Sequence, residues 1–215
     1  VRLEFGALFG EVGSAELNLR RVTRLANALS PIVLWIDEID KALAPADDQR
    51  GISEHARRVL ATMMTWLQEK TSPVFVVATA NDVQRLPPEL LRKGRFDEVF
   101  FVDLPNLAER RQILTIHLQK RGRDPSTLDL DTLARASEQF SGAELEQAVI
   151  DGLFRAFKQR RTLQLEDIQK AIEATVPLSR TYEEPIKVLR EWAKTRARHA
   201  SSDERLSELW SKSRA

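Results

Sequence analysis

The sequence predicts an α/β protein, a parallel sheet with flanking helices, followed by a small all-helical domain. Two observations carry this. Up to Asp103, short β-branched apolar runs alternate with stretches of helical periodicity, the pattern of a mostly parallel sheet covered by its crossover helices. After Pro105 the strand-like runs stop and amphipathic helical patterns take over. The length, 215 residues, corresponds to between one and two domains at roughly 150 residues each. The expected division is residues 1–103 for the α/β core, 104–178 for the helical domain and 179–215 for a helical tail.

Val1-Arg-Leu-Glu-Phe5 reads as a strand entered without introduction, and the chain opens on Val rather than Met. A fragment is therefore expected. Val22, Leu25, Ala26 and Leu29 recur at helical spacing, with Ser14 as a cap upstream. Pro31-Ile-Val-Leu-Trp-Ile36 and Pro73-Val-Phe-Val-Val-Ala-Thr79 are continuous apolar runs, as expected of strands buried on both faces. Between them, the stretch from Pro45 to Gly51 reads as a loop, and Val59, Leu60, Met63, Met64 and Leu67 form a second helical face. Glu98-Val-Phe-Phe-Val102 is a third strand-like run of the same sheet. Further on, Ile113, Leu114 and His117 mark a helix closed by Gly122. Another helix follows Asp129. Ser141-Gly-Ala-Glu144 is a capping box, opening a helix with Leu145, Ala148, Val149 and Leu153 inward. Ile168, Ala171, Ile172 and Thr175 face the core from the next helix. The tail carries helical patterns around Ile186, Leu189 and Trp192, and around Leu206, Leu209 and Trp210.

Composition removes several classes of function. Lys plus Arg number 33 against 32 Asp plus Glu, a net charge of +1 that argues against a generic polyanion binder. Without a cysteine there is no disulfide scaffold, cysteine zinc site or thiolate nucleophile. The longest apolar runs fall far short of a membrane span, and no leader is visible. A soluble protein of the cytoplasm is the expectation.

Three motifs carry chemistry. In Val33-Leu-Trp-Ile-Asp37-Glu38-Ile-Asp40 a buried strand ends abruptly in two carboxylates. Ligands of α/β proteins bind at the carboxyl edge of the sheet, so Asp37 is suited to hold Mg²⁺ through its water shell and Glu38 to polarise an attacking water. An acidic turn after a strand explains the pair equally well when it is taken alone. Val76-Val-Ala-Thr-Ala80-Asn81 ends a second strand in an amide, which on a neighbouring strand lies beside the two acids. Leu90-Leu-Arg92-Lys-Gly-Arg95-Phe-Asp97 places two arginines three apart around a glycine, a turn suited to present guanidinium groups to phosphate oxygens.

In this order the motifs are similar to those of the AAA family of ATPases, from about Leu3 to Pro177. The resemblance implies a partial AAA+ parallel sheet and a helical lid. It implies ATP and Mg²⁺ as ligands, with Asp37 on the metal, Glu38 as catalytic base, Asn81 as the sensor residue, and Arg92 and Arg95 as arginine fingers reaching a neighbouring subunit. A homo-oligomeric ring, usually a hexamer, follows from that last role. Ile113-Leu-Thr-Ile-His117 resembles the family helix whose His lies near the adenine and ribose, and Phe140-Ser-Gly142-Ala143 resembles the lid motif flanking the adenine pocket. More narrowly, Val33 to Lys41, Thr65 to Pro73 and Phe100 to Pro105 resemble the branch found in cyanobacteria and as a conserved reading frame in algal plastids, which implies the plastid stroma as the alternative location to the cytoplasm.

Two departures stand beside this. The phosphate-cradling pattern Gly-x-x-x-x-Gly-Lys-Ser/Thr occurs nowhere in the sequence, and the resemblance puts that loop, with the strand before it, upstream of Val1. The chain as it stands is then expected to bind ATP poorly, to leave an open sheet and to be poorly stable. The translocating loop of the family carries an aromatic residue just before Val-Gly. Here Glu11 precedes Val12-Gly13, with Phe9 two residues earlier. The favoured function is an ATPase segment whose intact protein remodels a protein partner. The competing reading is an interaction or nucleic-acid-binding module on an inactive ATPase core, motivated by Lys120 to Arg123, Lys158 to Arg161 and Arg190 to Arg198 with Trp192. Against it, basic runs interleaved with acids are usually solvated faces. A pure scaffold has no need of the acids, the amide and both arginines together.

Overall fold

The computed structural model describes residues 1–9, 15–41, 54–92 and 94–201. The expected cap Ser14, the segment holding Glu11, Val12 and Gly13, the loop from Pro45 to Gly51, Lys93, and the pattern around Leu206, Leu209 and Trp210 lie outside the described residues. The chain divides into two compact units, Val1–Val99 and Phe100–Ala215. No helix among the described residues is long and apolar enough to cross a membrane.

The first unit runs β1 (Arg2–Glu4), a 3-10 turn, α1 (Ala15–Ala28), β2 (Ile32–Asp37), α2 (Glu54–Glu69) and β3 (Val74–Ala78). All three strands are parallel, in the order β1-β2-β3. In register, Trp35 of β2 pairs with Arg2 of β1 and Val77 of β3. Side chains alternate across a strand, so β2 and β3 each present two rows. Leu34, Ile36, Val74 and Val76 form one row. They pack in a single apolar cluster with Leu19 and Ala26 of α1 and Val59, Leu60, Met63 and Leu67 of α2. Trp66 of α2 also donates its indole N–H to Asn27 of α1 at 3.3 Å.

The other row departs from the expectation of strands buried on both faces. Val33, Trp35, Phe75 and Val77 are 53, 47, 68 and 38% exposed. The cause is one-sided cover, because the cluster that draws in α1 and α2 contains only the Leu34 row. The face expected for α1 is also rotated. Ala15, Leu19, Thr23 and Ala26 are buried, whereas Leu25 and Leu29 are about half exposed. Periodicity marks an apolar stripe, but which flank of the stripe meets the core depends on how the helix docks on the sheet.

The second unit contains β4 (Phe100–Phe101), α3 (Leu107–Lys120), α4 (Leu130–Ala136), α5 (Gly142–Lys158), α6 (Leu165–Glu173), α7 (Leu178–Thr181), α8 (Glu183–Arg196) and β5 (Arg198–His199). Its helix ends follow local chemistry. Asn106 and Glu109 form a capping box on α3, Asp129 accepts from the Asp131 and Thr132 N–H groups, and Ser141 and Glu144 cap each other's ends on α5. At the close of α3, Gly122 takes φ +67° and the Arg123 N–H donates to the Leu118 carbonyl at 3.0 Å, a left-handed C-cap that favours glycine. The core gathers Leu114 and Leu118 of α3, Leu133 of α4, Leu145 and Val149 of α5, and Ile168 and Ile172 of α6. Gly152 of α5 allows α6 to approach so closely that a Cβ there would lie 2.8 Å from Ile168 Cγ1.

The strand expected over 98–102 is only two residues long, and its hydrogen-bonded partner is β5 rather than the three-stranded sheet. This partner is secured locally. The Ala200 N–H donates to the Phe101 carbonyl at 2.9 Å, Arg190 of α8 grips Asp103 through three hydrogen bonds of 2.8 to 3.0 Å, and Ser201 donates to Glu109 at 2.7 Å.

Candidate functional site

The acids and the amide meet at the carboxyl edge of the three-stranded sheet. Asp37 is the last residue of β2 and continues the exposed row of Val33 and Trp35. Thr79, one residue beyond β3, donates its hydroxyl to Asp37 Oδ1 at 2.6 Å, and Arg2 donates to Asp37 Oδ2 at 2.5 Å. The Thr79 hydrogen bond, followed by Arg2, holds the Asp37 carboxyl below its ordinary value, so the ionised form is favoured.

Glu38 follows with φ +52°. This left-handed conformation is uncommon for a residue with a Cβ and costs of order 1–3 kcal/mol. Its N–H donates to Thr79 Oγ1 at 3.0 Å. Its carboxylate accepts from Asn81 Nδ2 at 3.4 Å and pairs with Lys41 Nζ at 2.6 Å. That contact with Glu38 is the largest cause raising the Lys41 pKa. Asp40 turns inward, only 4% exposed. It accepts from the backbone N–H groups of Asn81 at 3.2 Å and Asp82 at 3.0 Å, which fixes where Asn81 begins its turn.

The arginine turn sits after a 3-10 segment, Pro88–Leu91. Arg92 is exposed, and Arg95 is half-buried and donates to the Glu89 carbonyl at 2.5 Å. Gly94 has φ +88°, as the turn requires. Among the described residues, neither arginine is hydrogen-bonded or ion-paired to Asp37, Glu38 or Asn81.

In the second unit His117, on α3, faces the beginning of α5. Its Nδ1 lies 3.3 Å from Glu146 Oε1, which also accepts from Arg121 at 2.8 Å. Arg121 is the first cause of a lowered Glu146 pKa. Gly142 and Ala143 form the first turn of α5, and a Cβ at Gly142 would lie 3.8 Å from Ile113 Cδ1, one turn before His117. The three residues singled out in this unit are thus brought to one end of the α3–α5 pair.

Several cations of the basic stretches are ion-paired. Arg121 pairs with Glu146, Arg161 with the buried Asp167, Arg190 with Asp103 and Lys194 with Glu191. Trp192 is half-buried.

Sequence reasoning missed Thr79, Asp40 and Arg2. The first two stand inside the motifs that were read, and their signal is a polar group at the end of a buried strand with nothing else to satisfy it. Arg2 gave no signal, because its contact with Asp37 depends on strand order.

Two carboxylates and an amide thus converge at the carboxyl edge of a parallel sheet, the edge at which α/β folds bind their ligands. Residues 1–104 match the sequence model of the family described as "ATPase family associated with various cellular activities (AAA)", and the chain belongs to this family over that segment. It is 50% identical over 94% of its length to the uncharacterized AAA domain-containing protein ycf46 of Pyropia yezoensis, and covers 41% of that relative. Against the proteasome-activating nucleotidase of Aeropyrum pernix it is 36% identical over 75% of its length, covering 40% of the relative. Against the ATP-dependent zinc metalloprotease FtsH 2 of Sphaerobacter thermophilus it is 33% identical over 80%, covering 26%. The chain spans about two-fifths of the length of the curated ycf46 relatives that it matches.

Proposed function

We propose that the chain is the acid-and-sensor part of an ATPase, and that the longer protein hydrolyses ATP with Mg²⁺ and couples this to remodelling a protein partner. The observation that carries the reading is the convergence of Asp37, Glu38 and Asn81 at one sheet edge, where the Thr79 hydroxyl bonds to Asp37 and to the Glu38 N–H and Asn81 donates to the Glu38 carboxylate. Family membership and relatives named as a nucleotidase and an ATP-dependent protease support ATP as the substrate.

Magnesium takes oxygen ligands and is held by one or two carboxylates together with substrate phosphates and waters, rather than by an all-protein cage. The residues fit this. Asp37 offers an oriented, ionised carboxylate for this role. When bound, the metal and triphosphate supply a charge-neutralised terminal phosphoryl group open to attack.

In this proposal Asp37 would hold the metal through its water shell, and Glu38 accepts a proton from the attacking water. Asn81 holds the Glu38 carboxylate in line, and Lys41 has to release it. Arg92, exposed on its turn, and Arg95 reach the nucleotide of a neighbouring subunit in a homo-oligomeric ring, a hexamer by family precedent. His117, Gly142 and Ala143 border the adenine. The exposed row that ends at Asp37 supports placing the phosphate-cradling segment of the longer protein against that face.

The test is Glu38→Gln in the full-length protein. ATP binding should persist while turnover falls by about 10²-fold or more, the scale at which general-base catalysis contributes. Unchanged turnover would remove Glu38 from the reaction and the reading with it.

A further inference from the structure

We infer that Thr79 is a positioning residue for both acids of the candidate site, one hydroxyl setting the carboxylate of Asp37 and the backbone of Glu38 together. The inference rests on the roles proposed above for those two residues. Its basis is how completely Thr79 brackets them. The Thr79 N–H donates to the Ile36 carbonyl at 2.9 Å, and the Thr79 carbonyl accepts from the Ile39 N–H at 2.9 Å. Between these two backbone bonds lie only Asp37 and Glu38. The Thr79 side chain contacts both, through Asp37 Oδ1 at 2.6 Å and the Glu38 N–H at 3.0 Å.

The proton arrangement is determined. An amide can only donate, so the hydroxyl must accept from Glu38 and direct its own proton to Asp37. Each contact has a distinct consequence. Donation to Oδ1 fixes the rotation of the Asp37 carboxylate and so the direction of its remaining lone pairs. Acceptance from the Glu38 N–H helps hold the left-handed φ of +52°, which sends the Glu38 side chain toward Asn81 rather than along the strand. A β-branched residue is stiff at χ1, so the hydroxyl is already aimed. Valine would keep the shape and lose both bonds, whereas serine would keep both bonds with a looser rotamer.

Partners that orient a metal-binding side chain typically change metal affinity or activity by about 10- to 100-fold when removed. The experiment uses the full-length protein carrying Glu38→Gln, so that ATP is bound without turnover. Calorimetry measures the ATP Kd with Mg²⁺ and with EDTA, and their ratio reports the metal-dependent gain. Thr79→Val should cut that gain about 10-fold, leave the EDTA value within about 2-fold, and be rescued by Thr79→Ser to within about 3-fold. With Glu38 intact, Thr79→Val should lower kcat by about 10- to 100-fold.

An unchanged gain and an unchanged kcat would overturn the inference. So would an equal fall in the two affinities, which is what a merely structural role gives. Thr79→Ala decides in the same way if the valine variant does not fold, and unfolding of both would also assign a structural role. Failure of this inference leaves the Glu38→Gln result standing, whereas turnover that survives Glu38→Gln would fail the functional reading itself.

Discussion

The two units solve the burial problem differently. The helical unit wraps α3, α4, α5 and α6 around a shared interior in which Leu114, Leu118, Leu133, Leu145, Val149 and Ile168 are essentially inaccessible. The sheet unit buries one row of its strands and leaves the other, of equally apolar residues, in contact with solvent. Helices in a bundle each need one covered stripe and can supply it to one another. A parallel sheet has two apolar faces and needs cover on both. A sequence can therefore be rich in strand-forming residues and still place half of them outside its own core.

Substitutions test this contrast. In the helical unit, Leu114→Ala should cost about 3 kcal/mol, by loss of transfer energy and the cavity left behind, read from urea unfolding of the chain. A loss below about 1 kcal/mol would mean a loosely packed interior. Next in size is Asp167, whose carboxylate meets Arg161 at 2.5 and 2.7 Å. That pairing is the first cause of its lowered pKa. A carboxyl whose folded pKa is depressed stabilises the fold above its unfolded value, near 3.8, and the contribution fades as the pH falls from there through the folded value. Asp167→Asn should cost about 2 kcal/mol at neutral pH, and the wild-type advantage should vanish under acid. An advantage independent of pH would assign the effect to packing instead.

On the open row of the sheet, Phe75→Ser should change stability by no more than about 0.5 kcal/mol and should reduce concentration-dependent association measured by light scattering. A loss as large as that of Leu114→Ala would mean that the row is covered in solution, and the contrast between the units would fail.

Much of this was legible beforehand because it is local. The Ser141–Glu144 capping box, the Gly122 stop, the helical unit's inward residues and the β2 and β3 runs follow from neighbours a few positions apart. The candidate site was legible to the extent that Asp37, Glu38 and Asn81 each end an apolar run. Three features were not. The buried flank of α1 turned from Leu25 and Leu29 to Leu19 and Thr23, the strand at Phe100 took β5 as its partner, and Arg2, Thr79 and Asp40 closed around the acids. Each depends on a contact between segments distant along the chain.

By itself, then, the sequence determined the alternation of strands and helices, the family, and the polar residue types that end the strands, since these follow from short-range periodicity and spacing. Only the tertiary structure decided which face of the sheet is covered and that the Thr79 hydroxyl spans both acids. Those outcomes depend on strand order and register, and hydrogen bonds across 42 and 41 residues of chain exist only once the strands have paired.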